Sequence, residues 1–203
     1  KKQYAATRLT VTLGDNLGKD FAGTPVAAYR KSDATAVRTA LAWDDQNLYA
    51  GWEVRDDTPW KNGADAPEFL YARGDTVDLQ LGTDPAAAKD RKDGAAGDVR
   101  LSIGPFQGQP PVMAYRKVSA EKHPKTFSSG VVKAYEMDSV VAIAPAEIKV
   151  TVDEARKRYT VEVAIPWAAL GTAPAAGTTW TGDFGVTHGD KAKADTVLRT
   201  CWN

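Results

Sequence analysis

Apolar and polar residues alternate along most of this chain. Val37, Thr39 and Leu41 alternate with Arg38 and Ala40. After a polar four-residue turn, Asp44 to Asn47, Leu48, Ala50, Trp52 and Val54 alternate with Tyr49, Gly51 and Glu53. Period two marks a strand with one buried and one free face. Tyr49 and Glu53 on the free face begin a surface suited to a polar ligand. The same spacing predicts strands over Val77 to Leu81, Val99 to Ile103, Ile148 to Val152, Tyr159 to Ile165, Phe184 to Thr187 and Val197 to Trp202, with a weaker one over Val112 to Tyr115. Turn signals separate them at Asp93-Gly94, Gly97-Asp98, Gly104-Pro105, Gly108-Gln109-Pro110 and Gly189-Asp190, and Asp153 to Arg158 is a charged hairpin loop. Alternation on so many strands implies antiparallel sheets, each with one apolar face, and two such sheets stack into a β-sandwich.

Helix is scarce. Pro166 to Gly171 predicts one short turn, Pro at its start and Gly at its end. Asp84 to Lys89 is a second candidate turn. The poorly patterned stretch Ala114 to Met137 is expected to cross one end of the sandwich as a functional loop or a cover.

A length of 203 residues fits one all-β domain with a sizeable core. Lys+Arg and Asp+Glu each total 26, so no basic excess points to nucleic acid or to an anionic membrane, although local clusters remain open. The most charged stretch, Lys89 to Asp98, mixes both signs and reads as a solvated loop. No apolar run approaches the roughly 18 residues of a membrane span. The single cysteine, Cys201, precludes an intrachain disulfide. No signal peptide is visible at Lys1, and the abrupt start and end suggest a trimmed protein or a fragment.

The motifs of common catalytic centres are missing: no glycine-rich phosphate loop, HExxH, CxxC pair, CxxCH or Gly-x-Ser-x-Gly occurs. The two histidines, His123 and His188, are read as structural or surface residues. Asp56, Asp57, Asp75 and Asp78 supply enough carboxylates for a glycosidase pair, but nothing marks one as a proton donor. The more specific signal is the outward face of two strands, where Asp78 and Gln80 stand on one and Arg100 and Ser102 on the other. Carboxylate and guanidinium groups suit sugar hydroxyls, which both donate and accept. The plain alternative is a cross-strand ion pair. Trp60, Tyr71, Trp180 and Trp202 are candidate stacking rings near loops or strand ends, whereas Trp43, Trp52 and Trp167 are assigned to the core. Asp56 and Asp57 with Asp75 could hold calcium, which prefers hard oxygen ligands on loops. A turn-forming Asp pair is the alternative.

Several pieces together resemble the family nine carbohydrate-binding modules. Ala42-Trp43-Asp44-Asp45-Gln46-Asn47-Leu48-Tyr49 and Val54-Arg55-Asp56-Asp57-Thr58-Pro59 resemble its first strand pair, and Gly74-Asp75-Thr76-Val77-Asp78-Leu79 follows in order. Tyr159 to Trp167 with Leu170-Gly171 is similar to the late strand and turn, and Asp183-Phe184-Gly185-Val186 and Arg199 to Asn203 to the closing part. The resemblance covers most of the chain. It implies a jelly-roll sandwich, residues 1–203, that binds polysaccharide or oligosaccharide without cleaving it. The setting it implies is secreted, periplasmic or cell-surface, beside other domains of a larger bacterial protein. It also implies structural calcium and a sugar gripped between two aromatic rings over polar residues. Carried over by motif, the ligand-binding residues are Tyr71 and Trp202 as rings, Asp78 and Arg100 as hydrogen-bonding groups, and Gln80 and Asn203 in support.

Two departures stand out. Tyr71 is the nearest ring where the family places tryptophan, and Asp78 replaces a longer glutamate. The run Asp75 to Pro85 and the long central loop are closer to a poorly characterised branch of exported proteins that need not bind sugar. The family usually continues past Asn203 with another strand, which would leave an edge unpaired. The haem-binding subunits of ethylbenzene dehydrogenase-type enzymes share the sandwich and ligate haem through methionine and lysine, or histidine, and Met113, Met137, His123 and several lysines in or near the central loop would serve that alternative. Haem is not the expectation, because an axial pair must face one pocket and Met is more often an apolar filler. A structural sandwich that docks another domain is the remaining alternative.

Overall fold

The computed structural model describes residues 2–88, 90–128, 134–192 and 195–203. Three features named above fall partly or wholly outside them: Lys1, Lys89 at the start of the charged stretch, and 129–133 within the long central segment. The described strands are β1 (Thr7–Arg8), β2 (Ala27–Tyr29), β3 (Val37–Trp43), β4 (Asn47–Arg55), β5 (Thr76–Gly82), β6 (Asp98–Ile103), β7 (Val112–Arg116), β8 (Lys125–Phe127), β9 (Tyr135–Met137), β10 (Ser139–Ala142), β11 (Glu147–Asp153), β12 (Arg158–Pro166), β13 (Thr181–Gly189) and β14 (Thr196–Cys201). Each run with clear alternation in the sequence became a strand. The ones missed, β1, β2, β8, β9 and β10, have 2 to 4 residues, too few to show a period.

Two six-stranded sheets form an all-β sandwich. Sheet I runs β1-β3-β4-β12-β11, with β2 also on β3, and sheet II runs β10-β7-β6-β5-β13-β14. The pairings are antiparallel except β1 with β3, which is parallel. Tight turns set the register. Asp44 Oδ1 accepts the backbone N–H groups of Gln46 and Asn47, both at 2.8 Å, and so closes the β3–β4 turn. The expected charged loop joins β11 to β12. The predicted helical turn is α2 (Trp167–Leu170), ended by Gly171 at φ 73°, a left-handed position that favours glycine. Its Trp167 indole N–H donates to the Asp44 carbonyl at 2.9 Å, tying helix to turn. Of the candidate turn Asp84 to Lys89, the described part, residues 84–88, holds a turn closed by Ala87 N–H on the Asp84 carbonyl and no helix. One helical turn escaped the sequence reading, α1 (Leu17–Asp20), as did two 3-10 turns, Asp33–Thr35 and Pro67–Ala72.

The core lies between the sheets. Leu48, Ala50, Trp52 and Val54 from sheet I meet Val77, Leu79, Leu101 and Val186 from sheet II. Each large apolar side chain taken fully from water there contributes roughly 1.5–3 kcal/mol. Trp52 and Trp167 are buried and Trp43 packs partly buried against the same core, in line with their assignment.

Both sheets also carry an apolar cover on their outer faces, and this overturns one expectation. The supposedly free face of β4 is mostly closed. Tyr49 is buried in a second cluster with Val11, Leu17 and Phe21. A Cβ on Gly51 would lie 2.5 Å from Leu17 and 2.7 Å from Phe21, so the bare glycine makes room for the cover. Outside sheet II, Leu70, Met113, Tyr115 and Phe127 form a third cluster with Tyr71 beside it. The long central segment therefore starts as β7 and lays Phe127 of β8 over the outer face of sheet II; it is a cover, but over a face of the sandwich and not across one end.

Candidate functional site

The residues on the open part of sheet II come together through register. Gln80 of β5 lies opposite Arg100 of β6 on one side and Asp183 of β13 on the other, and Arg100 lies opposite Tyr115 of β7. In the next row Asp78 lies opposite Ser102 and Gly185. Arg100 thus reaches Asp78 diagonally, its Nη2 donating to Oδ2 at 3.0 Å. From the far side Arg199 Nη2 of β14 donates to Asp78 Oδ1 at 2.9 Å. Asp78 is fully buried between two guanidinium groups.

Gly185 makes this triad possible. A Cβ there would sit 2.6 and 2.8 Å from the Asp78 oxygens and 2.9 Å from Arg199 Nη2. Burial would lower the Arg199 pKa, but the Asp78 carboxylate and its hydrogen bond hold it above the usual arginine value. Arg199 did not stand out in the sequence. Its only signal was a cation at an alternate position of β14, and its partner is 121 residues away.

Tyr71 borders the same face. The Arg100 guanidinium carbon lies over its ring, 5.4 Å from the centroid, and Tyr115 and Phe127 meet it edge-on at 5.8 and 5.9 Å. Beside the triad opens a shallow cleft of about 320 Å³, lined by Gln80, Arg100, Tyr115, Lys117, Met137 and Asp183 among others. An Arg91–Asp98 ion pair, 2.6 Å at its closest, sits at one end. The cleft combines guanidinium and ammonium donors, a carboxylate, an amide and aromatic edges. It can hydrogen-bond a polyhydroxylated ligand from several sides at once.

The other candidates fall elsewhere. Trp202 does not face Tyr71. Its backbone N–H donates to the Phe184 carbonyl, and its ring packs edge-on against Phe184 (5.6 Å), a member of the inter-sheet core, and Tyr4 (6.2 Å), which packs against that core. Strand alternation accounts for this, since Cys201 pairs with Gly185 on the outer face and the next residue turns inward. The two-ring clamp of Tyr71 and Trp202 is therefore not assembled. Asn203 is exposed at the rim, its backbone N–H donating to Asp183 Oδ1 at 3.1 Å. Trp60 lies over Tyr159 and Trp180 against Trp167, both away from Asp78.

Asp56, Asp57 and Asp75 do not converge as calcium ligands, and no group of three or more His, Cys, Asp or Glu suited to a metal occurs among the described residues. Asp57 is exposed and paired with Lys157 at 2.7 Å. Asp75 is buried, its two oxygens accepting the N–H groups of Lys61 (2.9 Å) and Gly189 (2.8 Å). Asp56 accepts Thr58 N–H at 2.7 Å and shares a 2.6 Å hydrogen bond with His188 Nδ1. Oxygens surrounded by N–H donors and a histidine do not fit a calcium shell. Burial, then the Asp56 charge, pushes the Asp75 pKa up to about 7, against its two N–H bonds and His188. Of the four aspartates counted for glycoside cleavage, Asp56 and Asp75 lie close enough to feel each other's charge, Asp57 is held by Lys157, and only Asp78 belongs to the outer face of sheet II. Of the haem alternative's residues, Met113 is enclosed by the aromatic cluster, while His123 stands at the surface beside Glu121.

No protein-family model matches the chain, and no curated protein sequence does. Solved structures resemble it in fold. A family nine carbohydrate-binding module from Caldicellulosiruptor kristjanssonii in complex with cellotriose superposes with TM-score 0.63 at 17% identity, over 98% of this chain and 83% of that one. The same kind of module in complex with glucose gives 0.62 at 16%, over 99% and 84%. A candidate carbohydrate-binding protein from Bacteroides uniformis ATCC 8492 gives 0.56 at 11%, over 98% and 88%. The fold is thus that of the family nine modules.

Proposed function

We propose that this chain is a non-catalytic carbohydrate-binding domain whose ligand lies in the cleft on the outer face of sheet II. The observation that carries the reading is the register that lines up Asp183, Gln80, Arg100 and Tyr115 across four strands beside a buried Asp78. Asp78 holds two arginines rigidly while leaving about a quarter of the Arg100 side chain open. Such preorganised donors lose little entropy on meeting hydroxyls. Arg100 and Gln80 hydrogen-bond the sugar, Asp183 accepts from it, Tyr115 bounds its apolar face, and Tyr71 backs Arg100 and Tyr115 from behind the lining. Likeness of fold to modules solved with glucose and cellotriose supports the ligand class. Under this reading the protein works outside the cell or in the periplasm, where polysaccharide is met.

Titration calorimetry against glucose, cellotriose and a wider panel of oligosaccharides tests it. The native chain is expected to bind at least one of them. Arg100→Ala should weaken that binding by tenfold or more, since a charge-assisted hydrogen bond is worth about 1.5–3 kcal/mol. Trp202→Ala should leave affinity unchanged while lowering the melting temperature. No heat with any sugar, or affinity indifferent to Arg100, overturns the reading.

A further inference from the structure

The opposite face of the sandwich carries a second polar hollow. The last residues of β4 and the first of β12 form a groove of about 370 Å³ lined by Ala36, Arg38, Glu53, Arg55, Arg156 and Arg158. Four guanidinium groups meet there in a chain whose total charge is zero. Arg55 and Arg158 are direct cross-strand partners in the β4–β12 ladder. Like charges set opposite each other in a sheet are destabilising. The local carboxylates compensate only in part. Glu53 is taken by Arg38 at 3.1 Å. Asp153 meets both Arg156 and Arg158 at 3.5 Å, at the long end of ion-pair range. Arg55 has no carboxylate partner among the described residues. Ala36, hydrogen-bonded to Arg55 through the backbone, puts a small side chain where the arginines need space.

We propose that this groove is an oxyanion site, taking the sulfate, phosphate or carboxylate group of an acidic saccharide. The guanidinium fork matches such groups with two parallel N–H···O bonds, and two opposed arginines clasp one group from both sides. The choice of a saccharide as carrier rests on the carbohydrate reading; the oxyanion chemistry does not. The groove lies on sheet I, away from the Arg100 cleft, so the two sites can fail separately.

The test is binding of inorganic sulfate and phosphate, and of dextran sulfate against neutral dextran, by calorimetry and by shift of the melting temperature at low salt. Dextran sulfate should bind and raise the melting temperature, and neutral dextran should do neither. The paired variant Arg55→Ala/Arg158→Ala should lose the dextran sulfate affinity by tenfold or more. It should melt no lower than the native protein without anion, because a repulsion has been removed. Lys31→Ala/Lys92→Ala, which removes the same charge elsewhere, should bind as before, and so should Arg100→Ala. Binding of the inorganic ions as well identifies the oxyanion itself as sufficient, and binding of the polymer alone identifies the glycan-borne group as the ligand. Absence of anion binding by the native protein, or equal losses in the two paired variants, overturns the site.

Discussion

The outer faces of the two sheets meet the same physical problem with opposite charge arrangements. Each is partly covered by an apolar segment, residues 9–21 over sheet I and Pro67–Ala72 with β8 over sheet II. Each leaves a hollow where the cover stops. On sheet II the uncovered centre sets opposite charges together, Asp78 between Arg100 and Arg199, and buries the anion completely. On sheet I the uncovered end sets Arg55 against Arg158 and leaves the charges wet. A satisfied ion triad rigidifies the groups around it, whereas an unbalanced cluster is completed only by something that binds. The same strand alternation therefore yields a preorganised surface on one side and an attractive one on the other.

Removing the anion of the triad should have the largest effect on this contrast. Asp78→Ala leaves two arginines facing each other with no carboxylate between them. Breaking such a group costs about 3 kcal/mol or more. Chemical denaturation should show that loss, and sugar affinity should fall with it. A stability within about 0.5 kcal/mol of native would mean that the triad is an ordinary surface pair.

A smaller effect should separate the two covers. Gly51→Val pushes a branched side chain into Leu17 and Phe21, and such overpacking costs about 1–3 kcal/mol. The cover of sheet I should loosen, read as faster hydrogen exchange over residues 9–21, while sugar binding on sheet II stays native. Loss of sugar binding in this variant would show that the faces are coupled through the core.

The smallest expected effect is on pH dependence. Beneath the cover of sheet I, Glu162 is buried, with Oε2 accepting the Gly14 N–H at 2.7 Å. Burial pushes its pKa up to about 7, against that bond, with Asp20 adding to the rise. Asp75 is raised to the same level at the far end of the sandwich. Raised folded values mean that the fold favours the protonated acids. Their contribution is full below the ordinary values of 3.8 and 4.5 and is lost as pH rises to about 7. Asp57, Asp138 and Glu68, lowered by hydrogen bonds from Lys157, Lys122 and Lys125, act in the opposite sense in more acidic solution. Glu162→Gln should flatten part of the decline in melting temperature between about pH 5 and pH 7. An unchanged slope would remove Glu162 from the account.

Much of this architecture was legible in advance because strand periodicity is local. The runs at Val37, Leu48, Val77, Val99, Ile148 and Tyr159 each declare a buried face within a few residues, and two sheets follow from their number. Asp44 to Asn47 and Pro166 to Gly171 declared their turns by composition alone. Asp78, Gln80 and Arg100 could also be read as outward neighbours, because alternation assigns every residue to a face. What alternation cannot assign is the neighbour across the ladder or the segment that later covers it. Trp202 is a different case: alternation past Arg199 and Cys201 turns it inward to Phe184 and Tyr4, and the family likeness, not the strand period, had put it beside Tyr71. Tyr49 looked free because Leu17 and Phe21, which close over it, lie about thirty residues earlier in the chain. Arg199 reaching Asp78 across Gly185, and Arg55 opposite Arg158, are products of register. Register is settled by the whole set of packed strands, whose core must be buried before any polar residue meets its partner. By itself the sequence determined which residues would face outward, since that depends only on a two-residue repeat; which of them stand together, and with what charge, was decided by the tertiary structure.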